Sequence, residues 1–168
     1  MSVVAVKVDE EKIEVAADSI CVRGWQSMRT DQMCKLMDIN QMIIGGVGLA
    51  QDNSLMFRFA QTHRPESSAE KDILAFMVEF MAWRKTYTSS ALENSYVLVF
   101  DNRAWRIDEM LICEVTNYDA IGVGQDFANA VMHLGHSAQE AVKVACELSC
   151  YVAEPIVHFT LFKKDGEA

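Results

Sequence analysis

The sequence is poor in positive charge, in proline and in long apolar runs, and each shortage excludes something. Lysine and arginine number 15 against 24 acidic residues, a formal net charge of -9. Nucleic acid and acidic membranes offer no counter-charge to such a surface, and no clustered basic patch offsets the deficit, so neither is an expected partner. No apolar run is long enough to span a bilayer. The N-terminus lacks the basic segment and uninterrupted apolar core of a secretory signal, so a cytoplasmic protein is expected. Cys21, Cys34, Cys113, Cys146 and Cys150 show no C-x-x-C spacing and no neighbouring histidines. Reduced, buried thiols are the expectation, not a disulfide framework. Cys146 and Cys150, four apart, can share a helix face, but two ligands do not make a zinc site. His63, His133, His136 and His158 are too dispersed for a local metal triad, so neither metal nor cofactor is expected.

What is present is apolar patterning. Half the 168 residues are hydrophobic, enough for one sizeable core, and a single domain spanning residues 1–168 is expected. Val4, Val6 and Val8 alternate with Ala5 and Lys7; after the charged bend Asp9 to Lys12, Ile13 and Val15 alternate with Glu14. Period-two alternation around a short polar segment predicts a β-hairpin that ties down the N-terminus. Ser19 to Val22 is expected to prolong its second strand. Trp25 to Gln41 is poorly periodic, with a short strand or packed connection around Met33 to Ile39. Met42-Ile43-Ile44 then runs into Gly45-Gly46-Val47-Gly48, a buried strand ending in flexible backbone.

Asp52 or Asn53 is expected to cap a helix reaching about His63, and Pro65 breaks it. Ser67 with Glu70 predicts a capping box for a second helix, whose Ile73, Phe76, Met77, Phe80 and Met81 recur at helical spacing. That stripe reads as core or as a subunit interface. Tyr96 to Phe100, Ala104 to Asp108 and Met110 to Val115 predict an antiparallel meander. A helix follows from Gln125 or Asp126. Ser137 and Glu140 predict another capping box, opening a helix to about Val152, limited by Pro155. Val157 to Phe162 is a last strand. Strands, two helices, strands, two helices and a strand make an α+β fold: two antiparallel sheets between helical layers.

Four stretches together carry a resemblance: Val3-Val4-Ala5-Val6-Lys7, Ile13-Glu14-Val15-Ala16-Ala17-Asp18, Ile43-Ile44-Gly45-Gly46-Val47-Gly48, and Ala120-Ile121-Gly122-Val123-Gly124. In this order and spacing the chain resembles the proteasome β-subunit family, especially the bacterial proteasome-like peptidase that works with a ring ATPase. The resemblance implies a four-layer αββα sandwich, that of N-terminal-nucleophile hydrolases, and assembly into a ring or double ring. It also implies an ATPase or companion subunit as partner, and unfolded peptide as substrate if the site is active.

Active members use an N-terminal threonine whose hydroxyl attacks and whose amine is the base. Asp18 falls on the family's acidic position, and Gly46 and Val47 are the oxyanion-facing pair expected among the glycine-turn residues. Continuous matching puts Met1 on the threonine position; accommodating the longer Asp9-to-Lys12 bend puts Ser2 there instead. Removal of Met1 would give Ser2 both hydroxyl and free amine. Counting back from the glycine turn places Met33 on the lysine position, leaving Lys35 or Lys7 as possible substitutes. The family's later serine matches Val123, and its acidic partner matches Tyr151, neither of which relays a proton at ordinary pKa. Two readings follow: a self-assembling subunit with a degenerate, inactive or strongly impaired site, favoured by these losses, or an atypical peptidase using Ser2.

Overall fold

The structure, a computed structural model, describes residues 2–23, 26–29 and 34–163. Strand β1 (Val4–Val8) lies between β2 (Lys12–Ala17) and β10 (Tyr118–Ile121), and β11 (Val157–Phe162) closes the other side of β2. A second sheet runs in the order β5 (Leu36–Ile39), β6 (Met42–Val47), β7 (Ser95–Phe100), β8 (Arg103–Asp108), β9 (Leu111–Val115). A separate hairpin joins β3 (Ile20–Arg23) to β4 (Gln26–Arg29). All pairings are antiparallel.

The alternation decides the layers, because successive side chains of a strand face opposite sides of its sheet. Val4, Val6, Ile13, Val15 and Ala17 of the first sheet meet Ile43, Val47, Val97, Val99 and Ala104 of the second in a core between the sheets. The other face of the first sheet is built from small residues, Val3, Ala5, Ala16 and Ala120. They admit close packing of α3 (Gln125–His133) and α4 (Ala138–Leu148) through Ala128, Ala141, Val142 and Ala145. The outer face of the second sheet carries large residues, Ile44, Tyr96, Leu98, Trp105 and Ile107. It takes α1 (Ala50–Ala60) and α2 (Glu70–Arg84) through Phe59, Ile73, Phe76, Met77 and Phe80. At about 1.5–3 kcal/mol for each fully buried large side chain, these seams hold four layers together. The sheets meet most tightly where β1 crosses β6. A Cβ on Gly45 would lie 2.6 Å from Val4 Cγ1, so glycine is required there for close approach, not for a turn.

Several expectations need correcting. Of the two readings of the Ile73-to-Met81 stripe, core is the one observed: Ile73, Phe76, Met77 and Phe80 are buried and Met81 packs beside them. Leu49, not Asp52 or Asn53, precedes α1; both polar residues lie inside the helix and are buried. Ala69 precedes α2, and Ser67 bonds instead to the Ala69 N–H and the Asp72 carboxylate. Ser19 to Val22 does not extend β2: among the described residues Ile20–Arg23 forms a separate strand, β3, paired with β4. Residues 118–121, expected as an approach to a helix, form a strand paired with β1. The Ser137–Glu140 capping box is formed, but its helix ends at Leu148. The thiols are not buried: Cys113 on edge strand β9 and Cys150 after α4 are exposed, the other three half-buried. Among the described residues no helix is long and apolar enough to cross a membrane.

Candidate functional site

One end of the core between the sheets is polar. Asp18 follows β2, is 1% exposed, and lies under the start of β1. Its carboxylate accepts the Val3 N–H at 2.9 Å and the Ile20 N–H at 3.3 Å. Lys35, just before β5 and 9% exposed, donates to both Asp18 oxygens, at 2.8 and 2.7 Å. A buried charge is costly unless paired and hydrogen-bonded, and this pair meets both conditions. Burial lowers the pKa of the Lys35 ammonium, against the pull of Asp18 in the opposite direction. A lysine so placed gives up its proton more readily than one in water. Cys146 of α4 feels the same surroundings: burial, then the negative charge of Asp18, pushes its thiol up to about 12. It is therefore a protonated wall, not a nucleophile.

Ser2 is 5% exposed, and its position is fixed by backbone. The Ser2 carbonyl accepts the Gly124 N–H at 3.3 Å, and the Val3 N–H is held by Asp18. At Gly122, φ is +95°, and a Cβ would lie 2.4 Å from the Ser2 oxygen and 3.2 Å from Val47 Cγ1. The turn between β10 and α3 thus wedges Ser2 against the end of β6, and only glycine fits the wedge.

The glycine turn approaches from the second sheet. The Gly46 N–H donates to the Lys35 carbonyl at 2.8 Å, so Gly46 has no N–H to offer a ligand. Val47, next along the strand, directs its N–H to the opposite edge, toward β7. Within the expected Gly46–Val47 oxyanion pair, the Gly46 N–H is thus already engaged by backbone. Strand alternation carried one step past the last ladder bond would bring the Gly48 N–H, two residues beyond Gly46, back to the Lys35 edge. Gly48 itself is exposed, with φ +123°.

Other sequence-derived candidates separate from this cluster. Lys7 points to the helical face and donates to the Gly135 and His136 carbonyls at 2.7 and 2.8 Å, so it caps the end of α3 and does not face Asp18. Val123 and Tyr151 are 48% and 46% exposed. Met1 and Met33 lie outside the described residues. The lysine of the pair is Lys35, which gapless counting set aside in favour of Met33; the available cue was a charged residue abutting the apolar start of a strand.

A second polar cluster escaped the sequence reading. Asp52 and Arg84, each 1% exposed, form a two-pronged ion pair at 2.7 and 2.9 Å between α1 and α2. Asn53 and Asn94, also buried, bracket the Gly46-to-Leu49 turn. Read as caps, Asp52 and Asn53 gave no hint of long-range partners.

No protein-family model and no curated protein matches this chain. Solved structures do. Thiobacillus denitrificans BPH in complex with epoxomicin superposes with a TM-score of 0.87 at 14% identity, over 97% of this chain and 100% of that one. A second structure of Thiobacillus denitrificans BPH gives 0.87 at 14% identity, over 98% and 100%. Eukaryotic HslV from Trypanosoma brucei gives 0.73 at 19% identity, over 95% and 99%. The chain has the four-layer, proteasome-like fold of N-terminal-nucleophile hydrolases.

Proposed function

We propose that this chain is an N-terminal-nucleophile peptidase that acts through Ser2 once Met1 is removed. The observation that carries the reading is the buried Lys35–Asp18 pair, whose carboxylate also holds the Val3 N–H beside Ser2. The Ser2 Oγ attacks a peptide carbonyl, an O–C bond forms, and the hydroxyl proton passes to the freed α-amine. The amine returns that proton to the leaving nitrogen as the C–N bond breaks. Water then cleaves the ester and restores Ser2. Lys35, its proton loosened by burial, sets the electrostatics of the hydroxyl, and the Gly48 N–H receives the developing oxyanion. Unfolded peptide is the substrate, delivered by an ATPase to a homo-oligomeric ring in the cytoplasm. Support for assembly comes from apolar side chains exposed on and around the α3–α4 layer, among them Phe127, Leu134 and Leu148.

The test is covalent labelling. A peptide epoxyketone or a β-lactone, followed by peptide mapping, should modify Ser2 in protein whose intact mass shows loss of Met1, and should not modify Ser2→Ala. Absence of an adduct, under conditions that label an active proteasome-like control, overturns the proposal. Mass in solution tests assembly, which a monomer at micromolar concentration would contradict. The exposed Val123 and Tyr151 favour a second reading, a silent subunit that keeps the framework without a proton relay. That reading gains from an inert protein that still forms rings.

A further inference from the structure

The amides of Asn94 and Asn53 meet inside the second sheet's helical side, and their bonds form a directed circuit. Asn94 Oδ1 accepts the Leu49 N–H at 2.7 Å, and Asn94 Nδ2 donates to the Leu49 carbonyl at 3.0 Å. The same Nδ2 donates to Asn53 Oδ1 at 2.9 Å, and Asn53 Nδ2 donates to the Gly46 carbonyl at 2.9 Å. One side chain thus grips Leu49 by both backbone groups, and the other grips Gly46. Each amide has one orientation compatible with these bonds, because an N–H must meet Oδ1 and a carbonyl must meet Nδ2.

Between the two grips lie Val47 and Gly48. The packing leaves no slack: a Cβ on Gly48 would lie 2.3 Å from Asn94 Oδ1, and one on Gly46 would lie 2.3 Å from Asn53 Oδ1. Asn94 is 1% and Asn53 7% exposed, while Gly48 and Leu49 face solvent. Burying two amides costs desolvation that only full bonding offsets, and here that bonding is spent on a single exposed turn. Ordinary connections of a strand to a helix tolerate mobility; this one is bolted from behind.

We infer that Asn94 and Asn53 are positioning residues that fix the Gly48 N–H as the oxyanion donor. The inference rests on the peptidase reading above. Rigid donors stabilise developing charge without reorganising at the moment of reaction, and the circuit supplies that rigidity without either asparagine touching substrate.

The discriminating variant is Asn94→Asp. A carboxylate of the same shape still accepts the Leu49 N–H, but it cannot donate to the Leu49 carbonyl and it faces Asn53 Oδ1 acceptor to acceptor. With sites counted by Ser2 labelling, kcat should fall about 100-fold, the scale of losing or misplacing one oxyanion donor, while KM stays within about twofold. A merely structural role would reduce the fraction of labelled sites and leave kcat per labelled site unchanged; that result overturns the inference. Asn53→Ala, which frees the Gly46 grip only, should give a smaller fall of the same kind. Amide exchange at Leu49 provides a readout independent of turnover: slow in the parent protein and faster in Asn94→Asp. If the parent protein never labels at Ser2, the peptidase reading fails by itself. The clamp is then judged on exchange alone, and unchanged protection at Leu49 in Asn94→Asp overturns it too.

Discussion

Among the described residues two carboxylate–cation pairs are buried, one at each side of the second sheet, and they differ in what the cation can do. Arg84 meets Asp52 with two nitrogens and spends its other donors on the Ser90 and Ala91 carbonyls and the Ser90 hydroxyl. Its pKa is raised, first by the hydrogen bonds to Asp52, and a guanidinium does not deprotonate in proteins. It ties α1, α2 and the 88–94 segment into one block. Lys35 meets Asp18 with one ammonium whose pKa is lowered, and the pair sits under Ser2. Burial alone therefore does not distinguish a strut from a reactive site; the difference lies in whether the buried cation can release a proton and what stands beside it.

The comparison breaks most visibly with methionine. Lys35→Met and Arg84→Met each leave a buried carboxylate without its partner and should lose about 3–5 kcal/mol of stability, measured by chemical denaturation. Lys35→Met should also lower Ser2 labelling by about 10²–10⁴, whereas Arg84→Met should leave the labelling rate per folded molecule intact. Equal losses of labelling in the two variants would erase the distinction.

Lys35→Arg sharpens it. This change gives the first pair the chemistry of the second, retaining charge and removing the proton that can be released. Labelling should fall about 100-fold while the denaturation midpoint moves less than in Lys35→Met. Restored labelling in Lys35→Arg would mean that charge alone suffices.

A smaller effect is expected with pH. Burial places the Lys35 pKa below its ordinary 10.5, so between the lowered value and 10.5 the unfolded chain binds more protons than the folded one. Stability from this group then rises with pH across that window, its penalty being fully present below the folded value. Denaturation curves collected through the alkaline range should show the rise in the parent protein and not in Lys35→Met. The smallest change belongs far from both pairs: Ser137→Ala removes one cap of α4 and should cost about 1 kcal/mol with no change in labelling.

How much of this was legible follows the range of the interactions. The hairpin of Val4, Val6, Ile13 and Val15 and the box of Ser137 with Glu140 are written in neighbouring residues, so their periods and offsets reveal them. The layers follow from the same alternation, which sends Val3 and Ala5 one way and Val4 and Val6 the other. Asp18 was found because its place is set by the strand before it. Lys35 was not settled, because its partner lies 17 residues away across a stretch whose sequence is poorly periodic, and counting without gaps cannot fix the register there. Asp52 with Arg84 and Asn53 with Asn94 join residues 32 and 41 apart. Each looks like an ordinary helix-end or loop residue until the partner is in view.

The place of β1 between β2 and β10 also sets a schedule. β2 is made immediately after β1, but β10 and the Gly122–Gly124 wedge that encloses Ser2 emerge from the ribosome more than a hundred residues later. Until then β1 lacks one of its two neighbours; afterwards Ser2 is 5% exposed. On the Ser2 reading proposed above, trimming of Met1 should therefore be a race against synthesis of the second half of the chain. Protein refolded with Met1 attached should resist the aminopeptidase, a difference of one residue that mass spectrometry would read directly.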